Sequence, residues 1–159
     1  MKAVFAAVLS FCAFAAVKMY ALKFKRQIKL CESFLSFLGF AKSEVRFSSR
    51  TVLEICRSFC KMSEHSLPFL EQCSEPVSQS VKENLEGEKA LSAKQKSIIT
   101  AFFAEFGRGD EEASLACAEK YYYLFSAEYQ SACEECLKRI KLMNKLSFLS
   151  AAAIAVIFI

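Results

Sequence analysis

Glycine and proline are scarce in this chain, four and two in 159 residues, and no Asn-Gly or Asp-Gly pair occurs. Those residues supply the tight turns that hairpins need, so their scarcity argues against strands joined by short loops and for long helices. Tryptophan is absent while phenylalanine appears 16 times, so whatever core forms is built on Phe. Histidine occurs once, at His65, with no evident role as base or ligand. Internal repeats and low-complexity tracts are also lacking, and the length suits one compact domain plus appendages.

Acidic residues are missing from two places, and this gives the charge pattern its meaning. Lys18, Lys23, Lys25, Arg26 and Lys29 fill the stretch 18–29 with no acid between them. Lys138, Arg139, Lys141 and Lys145 do the same over 138–145. All 17 acidic residues fall within 30–137, against eleven basic ones, so that stretch carries −6 although the whole chain carries +4. A nucleic-acid-binding domain would show the opposite balance, and none is expected as a partner. The basic clusters read instead as borders of membrane segments.

Residues 3–17, AVFAAVLSFCAFAAV, contain no charged side chain. With Lys18 snorkelling, Met19 to Leu22 extends the run to about 20 residues, which matches a hydrocarbon layer of roughly 30 Å. A cleaved signal peptide is the rival reading, because Ala13-Phe14-Ala15 forms an A-x-A site behind a short apolar core. The four basic residues from Lys23 to Lys29 would resist translocation of the chain beyond them, which favours a retained anchor. Cys12 is a poor lipoprotein site, since the bulky Phe11 precedes it. At the other end, LSFLSAAAIAVIFI covers 146–159 and would span only about 21 Å as a helix at 1.5 Å per residue. Begun at Leu142, with Lys145 snorkelling, it reaches about 27 Å. A helix lying on a surface or in a protein groove is the alternative there, and the near absence of polar residues after Lys145 disfavours it. Both basic clusters face the middle of the chain, so positive-inside bias places the middle in the cytoplasm and both termini outside. The expected organisation is a transmembrane helix at 3–22, a cytoplasmic helical domain at 23–141 and a second transmembrane helix at 142–159.

Within the middle, Ile28, Cys31, Phe34, Leu35 and Leu38 keep helical spacing, so one helix continues out of the first anchor. A break comes near Phe47-Ser48-Ser49-Arg50. Thr51 and Glu54 form a T-x-x-E capping box opening a helix toward Lys61, and Ser92 and Gln95 form a second box. Between them, Pro68 and Pro76 suit first helical turns and Gly87 marks an interruption. Ile98, Ile99, Phe102, Phe103 and Phe106 make an apolar stripe that Gly107 ends as a C-terminal cap. Asp110 can cap the next helix, with Glu111 and Glu112 favourably placed against its dipole. Leu115, Ala118, Tyr122, Phe125, Tyr129, Ala132, Cys136, Ile140 and Met143 then step by threes and fours, predicting one uninterrupted helix from about 111 into the membrane. The fold class is all-α, a bundle in which first and last helices can pair antiparallel.

Eight cysteines invite redox or metal chemistry. Cys133 and Cys136 form C-x-x-C, but no second pair has zinc-ribbon spacing. The pair lies inside a helical pattern, whereas a thioredoxin-like motif comes directly after a strand. Cys56 and Cys60 likewise suit one helix face, and a cytoplasmic domain keeps such thiols reduced. Arg108-Gly109-Asp110 spells an adhesion tripeptide, yet reads better as an inter-helix turn. Tyr121-Tyr122-Tyr123 sits in acidic surroundings at helical phase, which suits core and interface. No phosphate-binding loop, catalytic dyad or paired acid constellation emerges, and neither cofactor nor metal is expected.

Several stretches resemble the stage III sporulation protein AB family of endospore-forming bacteria. Glu44-Val45, Phe47, Thr51-Val52 and Glu54 resemble a stretch running Glu-Ile-x-Tyr, three residues, Pro-Leu-x-Glu, with Thr51 in place of Pro. Phe102 and Phe106-Gly107-Arg108-Gly109-Asp110 resemble its F-x-x-x-L-G-x-x-D turn, and 146–159 its terminal membrane segment. The chain departs at Phe103, where the family favours Gly, and at Ser114 or Leu115, where it favours Gln. The resemblance implies a non-enzymatic platform in a secretion-like machine joining mother cell and forespore, its domain similar to the platforms of type II secretion and pilus systems. Implied partners are other membrane proteins of that machine, its cytoplasmic secretion-type ATPase and the bilayer, with a homo-oligomer left open. The implied location is the cell membrane on the mother-cell side. A membrane thiol oxidoreductase on Cys133 and Cys136, a generic coiled-coil stalk and a secreted adhesin cleaved after Ala15 are the rival readings.

Overall fold

The chain stays helical where the sequence lacks breakers, and also through Gly39, while it turns near the prolines, the caps and the other glycines. The computed structural model describes the backbone at 2–48, 50–62 and 67–158, and the side chains of these residues except 2–14, 16, 17, 20, 21, 144 and 146–158. Over those residues the elements are α1 (Lys2–Phe47), α2 (Val52–Met62), α3 (Pro68–Glu71), α4 (Val77–Glu86), α5 (Ala93–Glu105) and α6 (Glu111–Phe158). The fold is all-α.

Each boundary has a local cause. At the end of α1 the Ser48 backbone N–H and hydroxyl both donate to the Glu44 carbonyl at 2.8 Å, which closes the last turn. Pro68 opens α3, where its missing N–H costs nothing. Pro76, expected in a first helical turn, is instead the N-cap of α4. α5 carries a complete capping box between Ser92 and Gln95.

The chain groups into two compact units, Gln27–Gln130 and the paired segments Met1–Arg26 with Ser131–Ile159. In the Gln27–Gln130 unit the core is a cluster of phenylalanines centred on the C-terminal half of α1. Phe34, fully buried, meets Phe69 of α3 at 6.4 Å, Phe102 of α5 at 6.0 Å and Phe125 of α6 at 4.8 Å between ring centroids. Phe37 meets Phe59 of α2 at 5.3 Å and Phe103 of α5 at 5.6 Å. A buried Phe contributes about 3 kcal/mol by area, and each edge-on or offset ring pair roughly 1 kcal/mol more. Two residues of α1 therefore tie four other helices together.

α1 and α6 run antiparallel inside this unit. Glu32 accepts from the Tyr129 hydroxyl at 3.0 Å, Phe34 meets Phe125, and Lys42 pairs with Glu119 at 3.4 Å, so positions rise along one helix as they fall along the other. The buried face of α6 is rotated from the one expected. Ser114, Cys117, Ala118, Tyr121 and Phe125 are buried, while Tyr122 is 43% exposed and Leu115 half-buried. Three consecutive tyrosines allow either phase. Tyr121 enters the core with its hydroxyl donating to Glu105 at 2.7 Å, so its one polar atom is paired. Ser33, buried on α1, is satisfied likewise by donating to the Lys29 carbonyl at 2.8 Å.

In the other unit, Cys136 is buried and Arg139 pairs with Glu135 one turn earlier on α6. Among the described residues no helix is long and apolar enough to cross a membrane. The apolar runs behind the two membrane-crossing expectations, 3–17 and 146–159, fall almost wholly outside the residues whose side chains are described, as does Cys12. His65 lies outside the described residues altogether.

Candidate functional site

Two stretches far apart in the chain meet at one cleft of about 310 Å³. Val45, Thr51 and Val52 line it from the α1–α2 corner, and Phe106, Gly107 and Asp110 from the α5–α6 turn.

The corner is held by charge and by capping. Glu44 accepts from the Ser48 hydroxyl at 2.9 Å and from the Arg50 guanidinium at 2.8 Å, which fixes the short link after α1. The Thr51 backbone N–H donates to the Glu54 carboxylate at 2.8 Å, and the Glu54 N–H donates to the Thr51 hydroxyl at 3.3 Å. The hydrogen bonds from Thr51, backbone first and hydroxyl second, hold the Glu54 carboxyl below its ordinary pKa.

The turn is held by backbone geometry. Gly107 has φ of +80°, the left-handed region that lets the chain leave a helix and close its last carbonyls. A Cβ there would also overlap the Val52 Cγ2 methyl, so α2 packs directly on the turn. At Gly109 a Cβ would stand 2.7 Å from the Ala113 Cβ. Asp110 accepts from the Ala113 N–H at 2.8 Å and caps α6, with Glu111 and Glu112 in the first turn. Arg108 is exposed at the tip. Phe47, between cleft-lining Val45 and Ser48 in the chain, is 82% exposed.

Beside the turn, Glu105 accepts from Lys120 at 2.8 Å and from the Tyr121 hydroxyl. Those two bonds, Lys120 first, lower the Glu105 pKa. Burial and then the bond to Glu105 push the Tyr121 phenol up to about 12. The group clamps the end of α5 to α6.

Ser92 and Gln95 lie apart from the cleft lining. Gln95 is fully buried, and its carbonyl accepts from the Ser92 N–H at 2.9 Å and from the Gln27 amide at 3.0 Å. The basic residues Lys23, Lys25 and Arg26 on α1, and Lys138, Arg139, Lys141 and Lys145 on α6, belong to the unit of the chain ends; Lys29 lies in the other unit. All are exposed. Cys133 and Cys136 sit one turn apart on α6, half-buried and buried, with no strand or loop between them. Burial raises the thiol pKa of Cys56, Cys60, Cys73 and Cys117, the opposite of an activated nucleophile. Among the described residues no group of three or more His, Cys, Asp or Glu side chains could hold a metal ion.

Sequence reasoning marked the turn and both capping boxes singly. It missed that Glu44 and Arg50 pair across the helix break, and that Val52 seats on Gly107. The apolar residue directly after the cap position was the available signal.

These features define an all-helical protein organised on a Phe-rich core, with a structured inter-helix turn beside a cleft. The chain belongs to a known family: the model described as Stage III sporulation protein AB matches residues 2–159. Among curated proteins and solved structures, none matches the chain.

Proposed function

We propose that this sporulation protein is a non-enzymatic membrane platform, anchored by its two apolar ends, that holds together other components of a secretion-like complex between mother cell and forespore. In this reading the middle of the chain lies in the cytoplasm of the mother cell, both termini lie outside, and its contacts include a secretion-type ATPase. The observation carrying the proposal is the convergence at one cleft of the two stretches, 44–54 and 106–110, that resemble the family pattern. Exposed Phe47 and Arg108 lie within those stretches and are residue types enriched at protein interfaces. At Cys56, Cys60, Cys73 and Cys117 the raised thiol pKa favours a packing role over thiol chemistry, and at Cys133 and Cys136 the helical setting supports the same reading.

Deleting the chain in its spore-forming host should block development after engulfment, leave vegetative growth normal and weaken recovery of the remaining components as one complex. Cys133→Ser with Cys136→Ser should restore both spores and complex. Restoration of the complex without spores would point to the thiol oxidoreductase, and normal spore yield in the deletion strain would remove the platform reading.

A further inference from the structure

The unit formed by Met1–Arg26 and Ser131–Ile159 contains nine basic residues and two acidic ones, whereas Gln27–Gln130 contains twelve basic and fifteen acidic. The excess is concentrated. Four basic residues lie in 18–26 on α1 and four in 138–145 on α6, and all eight side chains are exposed. Both acids, Glu134 and Glu135, precede the α6 group, and one of them is engaged by Arg139. Along α1 the basic stretch comes after the apolar run 3–17, and along α6 it precedes the apolar run 146–159. Each helix thus carries its cations on the inner side of its apolar end, and the two segments group into one unit.

We infer that these eight cations form a collar that binds anionic phospholipid headgroups. The inference rests on the proposed membrane anchoring and adds the lipid class. Four long side chains from each of two helices, with water-exposed heads and apolar stems, can reach phosphates at the border of an apolar layer. An acidic protein partner would need only the charges; the apolar runs continuing from both stretches favour a lipid surface. A zwitterionic headgroup offers the same phosphate but brings its own cation into the collar, so the preference is for net negative lipid.

The test uses the full chain purified in non-ionic detergent, offered equal phosphatidylglycerol and phosphatidylcholine, with retained lipid counted by native mass spectrometry. Retention of phosphatidylglycerol should exceed that of phosphatidylcholine by about tenfold at low salt. The preference should collapse near 1 M salt, where screening acts within about 3 Å. A variant with Lys23→Gln, Lys25→Gln, Lys138→Gln and Lys141→Gln should lose the preference yet stay in the membrane on alkaline extraction. Equal retention of both lipids by the unaltered chain, or a preference that survives high salt, overturns the collar whether or not the variant folds. Release of the unaltered chain by alkaline extraction would instead overturn the anchor reading, while the lipid count would still decide the collar.

Discussion

The Cγ2 methyl of Val52 occupies the space that a Cβ on Gly107 would need, so the first residue of α2 is seated on the turn between α5 and α6. The contact joins the two halves of the cleft, and it couples two costs at Gly107: the positive φ and the overlap with Val52.

Gly107→Ala should therefore destabilise the protein by about 2 kcal/mol, roughly 1 from the left-handed backbone and the rest from overpacking. Val52→Ala should relieve only the second part. A double-mutant cycle read by chemical denaturation should show coupling of roughly 0.5 kcal/mol or more. Additive effects would mean that α2 does not rest on the turn.

Gln95 joins a capping box to a contact 68 residues away in the chain. Gln95→Ala should cost about 1–2 kcal/mol, because it removes the side-chain acceptor that closes the capping box on the Ser92 N–H and strands the Gln27 amide. Gln27→Ala should cost less, since the box survives it. Equal losses in urea unfolding midpoint would show that the bond to Gln27 carries the effect and the cap does not.

Helix limits were legible wherever one residue type does the work nearby: Thr51 and Ser92 as caps, Gly107 as a stop, Asp110 as a start. The α5 stripe from Ile98 to Phe106 was legible too, because its apolar positions admit one phase. The α6 face was not, since Tyr121 and Tyr122 compete for the same inward direction and the distant α5 residues Phe102 and Glu105, which meet Tyr121, decide between them. Phe37 was passed over beside Phe34 and Leu38, though it is fully buried against α2 and α5. The cleft itself depends on contacts between residues more than fifty positions apart, which spacing along one helix cannot reveal.

The Glu105 clamp gives stability a defined pH profile. The Glu105 pKa is lowered in the folded state, so its contribution is present at neutral pH and lost as pH falls through that lowered value. The Tyr121 pKa is raised to about 12 from an ordinary 10, so its contribution is intact below pH 10 and is lost between about 10 and 12, where the unfolded phenol ionises first. The urea midpoint of Tyr121→Phe should consequently fall less steeply than that of the unaltered protein over the alkaline window. Parallel slopes would remove Tyr121 from the linkage.

The platform reading is tested most directly by substituting side chains that flank the cleft without supporting the fold. Phe47 and Arg108 are both exposed, so Phe47→Ala with Arg108→Ala should leave the unfolding midpoint unchanged. Complex recovered on the tagged variant from sporulating cells should nevertheless fall about tenfold or more, equivalent to roughly 1.4 kcal/mol of lost contact energy, and spore yield should fall with it. Recovery of the intact complex at the usual level, with normal spores, would contradict the reading of Phe47 and Arg108 as contacts through which the platform holds its partners.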